Sequence, residues 1–158
     1  MRLLSFFGFG KSATARQTSA RIAQRESPKA SDILAGRGGP FFRVERSPDG
    51  RNAIIVAAIS MRMSHEVEHA ALYALPEERL IAEIGNSLWS ADRMIWTEEG
   101  RAVTLDLRRY PGDAAGVRVT IDIAQVRARI DSGPVMPPAE LSPALEADYW
   151  RRVRRSKE

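Results

Sequence analysis

The sequence predicts an α+β protein whose body is an antiparallel β-meander of about six or seven strands, with a basic arm before it and an amphipathic helix after it. Two observations predict this fold. Short β-branched or alternating apolar runs, separated by turn residues, follow one another between residues 41 and 130. A helical apolar stripe follows a proline-rich stretch near the end of the chain. We therefore expect three regions: a basic amphipathic arm and linker (1–40), a β-rich core domain (41–130), and a proline-rich connector with a basic amphipathic helix (131–158).

The expected strands are defined by apolar runs and by the turns between them. The first hairpin joins residues 41–47 to the apolar run 53–61 through the turn Ser47-Pro48-Asp49-Gly50. The other expected strands are 67–75, 80–84, 93–97, 102–108 and 117–123. Turns or breaks are expected at Pro76-Glu77-Glu78, Gly85-Asn86, Glu98-Glu99-Gly100 and Pro111-Gly112-Asp113. Sequential strands joined by short turns form an antiparallel meander.

Part of this region resembles the blade repeats of WD-type β-propellers. The segments that carry the resemblance are Ser47-Pro48-Asp49-Gly50-Arg51, Leu72-Tyr73-Ala74-Leu75, and Leu88-Trp89-Ser90-Ala91-Asp92 leading to Trp96 and Gly100. The resemblance covers residues 41–123 and implies at most about two four-stranded blades, whereas a closed propeller needs about four or more. A single-chain propeller is therefore excluded. We expect a twisted meander covered by the terminal helix, because one apolar face of a sheet must be buried.

Length and composition limit the class of protein. The chain has 158 residues, which suits one hydrophobic core with tails. It has no cysteine, so disulfides, thiolate metal sites and cysteine nucleophiles are excluded. Its longest apolar run, residues 53–60, has the length of a strand, whereas a membrane-spanning helix needs about 18 apolar residues. We expect a cytoplasmic protein, with the membrane surface as an alternative peripheral location.

The positive charge of the chain is concentrated in its two arms. Residues 1–40 carry seven Lys/Arg and two Asp/Glu, a net charge of +5, whereas residues 41–136 have a net charge of −2. Residues 137–158 have a net charge of +1. Cationic arms beside a nearly neutral domain indicate contact with something anionic, such as a membrane surface, nucleic acid or an acidic protein. Solubility alone also explains them.

The first arm combines apolar side chains with cations. Its expected membrane or partner contacts are Leu3, Leu4, Phe6, Phe7, Phe9 and Lys11. With the basic stretch that follows, these residues resemble the start of the MinE family of bacterial division factors, over about 25 residues. The resemblance implies an interfacial anchor. Two alternatives stay open: a cleaved organellar transit peptide, and docking of the phenylalanines on the core domain or on a partner.

One segment matches a zinc-hydrolase pattern. His65-Glu66-Val67-Glu68-His69 contains H-E-x-x-H, in which two histidines one helical turn apart bind zinc and the glutamate is the base. If residues 64–75 were helical, Glu66 would be that base, and candidates for a third ligand are Glu77, Glu78 and Glu83. In a strand, Glu66 would face away from both histidines. We favour the strand, and therefore expect no metal, no cofactor and no catalytic residue.

The final helix is expected to begin near Ser142 and Pro143. Its apolar stripe consists of Leu145, Tyr149 and Val153. The residues expected to contact an anion or a partner are Tyr149, Trp150, Arg151, Arg152, Arg154 and Arg155. The alternative is a helix that packs over the sheet and ends in cations because its dipole favours them there.

Taken together, these patterns predict a non-enzymatic adaptor or assembly protein that binds another protein, with its first arm as a membrane contact. A nucleic-acid-binding module that uses the C-terminal helix is the alternative, and a small zinc-dependent hydrolase is a second one. Assembly into a homo-oligomer would also bury an open sheet.

Overall fold

The computed structural model describes residues 29–61, 65–86, 88–110, 112 and 115–157, and within these ranges nine strands form two antiparallel sheets. The strands are β1 (Phe42–Arg46), β2 (Asn52–Met61), β3 (His65–Ala74), β4 (Arg79–Ile84), β5 (Trp89–Trp96), β6 (Ala102–Arg109), β7 (Val117–Asp122), β8 (Arg127–Ile130) and β9 (Val135–Met136). The helices are α1 (Ala30–Leu34), a 3-10 turn (Pro138–Glu140) and α2 (Leu141–Arg155).

The sheets are two consecutive meanders. One has the order β1-β2-β3-β4 and the other has the order β5-β6-β7-β8-β9. The predicted antiparallel α+β fold with a C-terminal helix is confirmed, and each of the seven predicted strands is present. The prediction of one continuous meander is wrong, because the strands divide into two sheets between β4 and β5. Strands β8 and β9 are additional. The sequence Arg-Ala-Arg-Ile of β8 has too few apolar residues to predict a strand, and it forms because it pairs with β7.

The chain leaves the first sheet at Gly85, where a break was predicted. The glycine has φ +76°, and a Cβ atom at this position would lie only 2.5 Å from Cδ1 of Trp89. The second sheet then starts at Trp89, so that β5 runs close to β3. The Glu68 backbone N–H donates a hydrogen bond of 3.3 Å to Oγ of Ser90 across this junction. Glycine is required here because both the backbone angle and the indole exclude a side chain.

A single hydrophobic core joins the two sheets and α2. Alternate residues of strands β2 to β8 enter it, as the period of two in a pleated strand requires. Its fully buried members include Ile54, Leu72, Ile84, Leu105, Ile121, Leu141 and Leu145. Helix α2 is therefore part of the domain.

The last part of the predicted arm and linker (1–40) contains a helix. Helix α1 contacts β1 and β2, and Ile33 is only 7% exposed. The arginine Arg46 donates a hydrogen bond of 3.0 Å to the Leu34 carbonyl oxygen. The glycines and prolines around it favoured a linker, but burial of one isoleucine side chain stabilises the helix.

Two hairpin turns from different sheets meet at Gly100. The Asn52 side-chain amide donates a 3.4 Å hydrogen bond to the Gly100 carbonyl oxygen. A Cβ atom on Gly100 would lie 2.5 Å from Oδ1 of Asp49, and the residue has φ +66°. Glycine at this position therefore permits the predicted turns 47–50 and 98–100 to pack together.

Candidate partner-binding site on the C-terminal helix

The H-E-x-x-H segment lies in strand β3. Four residues along a strand separate His65 from His69 by about 13 Å, whereas four residues along a helix rise about 6 Å. The helical hypothesis, with Glu66 as base, is therefore wrong. Nδ1 of His69 is buried without a hydrogen-bond partner in the described chain. Among the described residues, no three His, Cys, Asp or Glu side chains are placed so that they could hold a metal ion. The candidate third ligands Glu77, Glu78 and Glu83 are therefore not part of such a group.

The inner face of α2 is fixed by four apolar contacts. Leu141, Leu145, Tyr149 and Val153 follow one another every four residues and are at most 7% exposed. The predicted stripe is confirmed, with Leu141 added at its start. The four side chains pack on the hydrophobic core, so the helix cannot rotate without exposing them to water.

A polar cluster holds the same helix at its middle. Glu146 accepts hydrogen bonds from Nε of Arg109 at 3.3 Å and from Nη2 at 3.2 Å. It also accepts a hydrogen bond of 2.7 Å from Nε1 of Trp89. Arg109 is 8% exposed, so its charge depends on this carboxylate for compensation. The orientation of α2 is thus set by these directional hydrogen bonds as well as by the burial of its apolar side chains.

The guanidinium of Arg109 also lies against two aromatic rings. Its Cζ atom is 4.2 Å from the ring centroid of Tyr149 and 5.3 Å from that of Trp150. The two rings meet edge to face at 5.1 Å, and Trp89 meets Tyr149 edge to face at 6.2 Å. Cation–π and edge-to-face contacts of this kind favour one ring orientation. Trp150 is therefore held in place, although its side chain is 51% exposed.

The structure separates the six helix residues predicted as contacts into two groups. Tyr149 is 3% exposed and faces the core. Arg152 forms ion pairs with Asp131 and Asp148 and joins the helix to the turn after β8. Burial alone lowers the pKa of Arg152, but the hydrogen bonds from its guanidinium to these two carboxylates outweigh burial and raise the pKa. Both residues hold the helix in place.

The second group faces solvent, and we call it the contact face: Trp150, Arg151, Arg154 and Arg155. These positions recur at helical spacing on the side of α2 that faces away from the core. Nη1 of Arg151 lies 3.5 Å from Oδ1 of Asp148. Within the described part of the chain, Arg154 and Arg155 form no ion pair. The contact face therefore combines one large aromatic surface with available positive charge.

Three residues of the cluster were not predicted as site residues: Trp89, Arg109 and Glu146. One signal was available for Arg109. The period of two in β6 places it on the same face as Val103, Leu105 and Leu107, where a cation needs a carboxylate partner. The partner itself is 37 residues away in sequence.

The predicted membrane or partner contacts Leu3, Leu4, Phe6, Phe7, Phe9 and Lys11 lie outside the described residues. In the ranges that are described, no helix combines the length and apolarity needed to cross a bilayer. No protein-family model, curated protein or solved structure matches the chain. The likenesses to WD-type blades and to MinE therefore remain predictions.

Proposed function

We propose that this protein is a non-enzymatic adaptor or assembly protein that binds an acidic surface of another protein through the contact face of α2. One observation carries the proposal. Trp150, with half of its surface in solvent, is held beside Arg151, Arg154 and Arg155 on a helix whose opposite side is fixed to the core.

This arrangement has the composition of an interaction hot spot. Tryptophan and arginine contribute more to binding energy than most residues at protein interfaces. A side chain that is already held in its bound orientation loses little conformational entropy on association. The tyrosine and arginine contacts of Trp150 supply that restraint. Arginine guanidinium groups also form two-point hydrogen bonds with carboxylates, which favours an acidic protein as the partner.

An acidic protein is favoured over nucleic acid by the burial of Tyr149. Proteins that bind single strands commonly stack successive bases on several aromatic side chains. Here Tyr149 is 3% exposed, so only Trp150 of the predicted pair has a free ring surface. Binding to nucleic acid would then depend mostly on arginine–phosphate contacts and would weaken steeply with salt.

Site-specific photocrosslinking tests the proposal. A photoreactive amino acid replaces Arg154 in the full chain, and the control carries it at Arg101, a 72%-exposed arginine in the β5–β6 turn. We expect a protein to crosslink from position 154 in cells that naturally make this chain. That protein is then purified and titrated with wild type, Trp150→Ala, Arg154→Glu/Arg155→Glu, and Arg101→Glu. The affinity of Trp150→Ala and of Arg154→Glu/Arg155→Glu should fall at least about tenfold, which is about 1.4 kcal/mol. Arg101→Glu should bind like wild type.

Two results contradict the proposal. One is the absence of any position-specific protein crosslink at 154. The other is equal affinity for wild type and both contact-face variants. A crosslink to nucleic acid at 154, with affinity that falls steeply as salt increases, would favour the nucleic-acid alternative.

We also propose a cytoplasmic location in which residues 1–11 contact the membrane surface. The apolar and aromatic residues before Lys11 support this, since such side chains enter the headgroup boundary beside cations. Flotation with phosphatidylserine-rich vesicles tests it. The full chain should float with the vesicles and the chain without residues 1–11 should not.

Metal analysis of the full chain and of His65→Ala tests the zinc-hydrolase alternative, which requires stoichiometric zinc that the variant loses.

A further inference from the structure

Strand β1 is an open edge of the first sheet. It pairs with β2 on one side, and in the described ranges no strand lies on its other side. None of its residues is fully buried: Arg43 and Arg46 are exposed, the other three are half-buried, and Phe41 just before the strand is 56% exposed. An edge of this kind presents unpaired backbone groups to any complementary strand.

The hydrogen bonds to β2 show which backbone N–H and C=O groups of β1 face away from the sheet. Ser47 N–H donates to the Asn52 carbonyl oxygen at 2.9 Å, and Ala58 N–H donates to the Phe41 carbonyl oxygen at 2.8 Å. Hydrogen-bonded positions alternate along an antiparallel ladder, so Arg43 and Glu45 also bond towards β2. The backbone N–H and C=O groups of the even-numbered residues 42, 44 and 46 therefore face away from the sheet.

We infer that the partner of this edge is a second copy of the same chain, paired antiparallel about a two-fold axis at Val44. In this register Val44 faces Val44 of the second copy, and the outward backbone groups of both strands meet. Residue 42 of each copy lies opposite residue 46 of the other. The Phe42 N–H lies 3.4 Å from the Gly39 carbonyl oxygen and exchanges that long hydrogen bond for one across the interface.

Charge complementarity supports this register. Arg43 lies opposite Glu45 of the second copy, and the two-fold axis repeats the pair. The two positions form a non-hydrogen-bonded pair, in which Cα atoms approach to about 4.5 Å and side chains are closest. The side chains of Arg43 and Glu45 are 50% and 43% exposed. Within one chain Nη1 of Arg43 lies 3.7 Å from Oε1 of Glu45, and Nη2 lies 3.9 Å from Oε2 of Glu68. Both contacts are long and exposed to solvent, so they contribute little and can be exchanged for the cross-strand pair.

The same charges reject the neighbouring registers. A shift of two residues in one direction places Arg43 opposite Arg43 of the second copy, and a shift in the other direction places Glu45 opposite Glu45. Like charges directly opposite one another destabilise a strand pair. A shift of one residue would bring inward-bonded and outward-bonded backbone groups together. Charged side chains on an edge strand often prevent pairing, but the order Arg-Val-Glu at residues 43–45 permits one symmetric pairing and opposes the adjacent ones.

Sedimentation velocity of the full chain, from low micromolar to several hundred micromolar, tests the inference with wild type, Arg43→Glu, Glu45→Arg and the double exchange R43E/E45R. We expect a wild-type dimer. Each single reversal converts both cross-strand ion pairs into like-charge pairs and should raise the dissociation constant at least about tenfold. The double exchange restores opposite charges and should restore the dimer. Arg101→Glu is the control for net charge, because its salt bridge with Glu99 lies in a turn.

Val44→Pro provides a second test. Its N–H points outward, so proline removes a donor of the interface and none of the β1–β2 ladder. We expect a folded monomer by circular dichroism. A wild-type chain that is monomeric throughout the range contradicts the inference, as does a dimer that survives both single reversals. A double exchange that remains monomeric contradicts the Arg43–Glu45 register. If Val44→Pro does not fold, the Arg43 and Glu45 variants still test whether the chain dimerises through β1. The inference is independent of the contact face on α2, and its failure would leave that proposal standing.

Discussion

Arg109 and Glu146 form a two-point hydrogen-bonded ion pair, at 3.3 and 3.2 Å, between the buried face of β6 and helix α2. Trp89 donates to the same carboxylate, and the rings of Tyr149 and Trp150 lie against the same guanidinium. One charged pair thus links strand β5, strand β6 and the helix. The direction in which the contact face points depends on this link.

We predict that Glu146→Gln destabilises the protein by about 2–3 kcal/mol, because it leaves the charge of Arg109 buried without a carboxylate. The glutamine oxygen still accepts the hydrogen bond from Trp89. Urea unfolding of Glu146→Gln, Arg109→Met and the double variant measures the coupling. The double variant should be more stable than Glu146→Gln alone. Glu140→Gln, an exposed site, should change stability by less than about 0.5 kcal/mol, and an equal loss in both glutamine variants would contradict the prediction.

We predict that two adjacent aromatic residues differ sharply in their effect on stability. Tyr149→Ala should cost about 3–4 kcal/mol, because it leaves a cavity under the helix. Trp150→Ala should cost about 1 kcal/mol or less, since half of its surface is already in solvent and it loses only its ring and cation–π contacts. Thermal and urea unfolding of the two variants give the comparison. Equal losses would mean that the inner and outer faces of α2 are assigned incorrectly.

We predict that the contribution of Asp49 to stability depends on pH. A hydrogen bond of 2.6 Å from the Ser47 hydroxyl, and one of 3.0 Å from Arg51 N–H, lower the pKa of Asp49 below its usual value of 3.8. A carboxyl whose pKa is lower in the folded state stabilises the fold above its unfolded pKa, and this contribution is lost as the pH falls through the folded pKa.

Melting temperatures of wild type and Asp49→Ala at pH 7, 5, 4 and 3 measure this dependence. The variant should melt lower at pH 7 and pH 5, and the difference should shrink below the unfolded pKa of about 3.8. If the melting temperatures of wild type and Asp49→Ala differed by the same amount from pH 7 to pH 3, the loss of stability would come from packing of the turn and not from the charge of Asp49.

We predict that Val126→Gly stabilises the protein. Val126 lies in the turn between β7 and β8 with φ +52°, a conformation that β-branched residues rarely adopt, and it is 65% exposed. Removing the side chain relieves backbone strain of about 1–3 kcal/mol at little cost in packing, and this exceeds the entropic cost of a new glycine, about 0.4–1 kcal/mol. The neighbouring Gln125→Gly has no such strain to relieve and should be destabilising. If urea unfolding gave both variants the same sign, backbone strain at Val126 would not be the cause.

The seven predicted strands could be derived from sequence because each has β-branched or alternating apolar residues. Glycine or proline also marks most of the turns between them, at 47–50, 76–78, 85–86, 98–100 and 111–113. Strand β9 is only two residues long and follows Pro134, so its pattern carries no periodicity. It forms because β8 offers it an open edge. Helix α1 depends in the same way on a tertiary contact of Ile33. Elements of this length have no intrinsic stability that a sequence pattern could report.

The candidate site was predicted in part. The period of α2 correctly placed Tyr149 and Val153 on its inner stripe. It could not reveal that, among the residues the structure describes, Arg152 forms ion pairs while Arg154 forms none. That difference depends on Asp131, which the turn after β8 brings to the helix. The meeting of Trp89, Arg109 and Glu146 likewise depends on how the sheets and the helix pack together, because these residues are far apart along the chain.

The most direct test of the proposed adaptor function is a calorimetric titration of the purified protein that crosslinks from position 154, with wild type, Trp150→Ala and Arg101→Glu compared under one set of conditions. We expect wild type and Arg101→Glu to bind with equal affinity, and Trp150→Ala to bind at least about tenfold more weakly while remaining folded. Equal binding by all three proteins would contradict the assignment of the contact face.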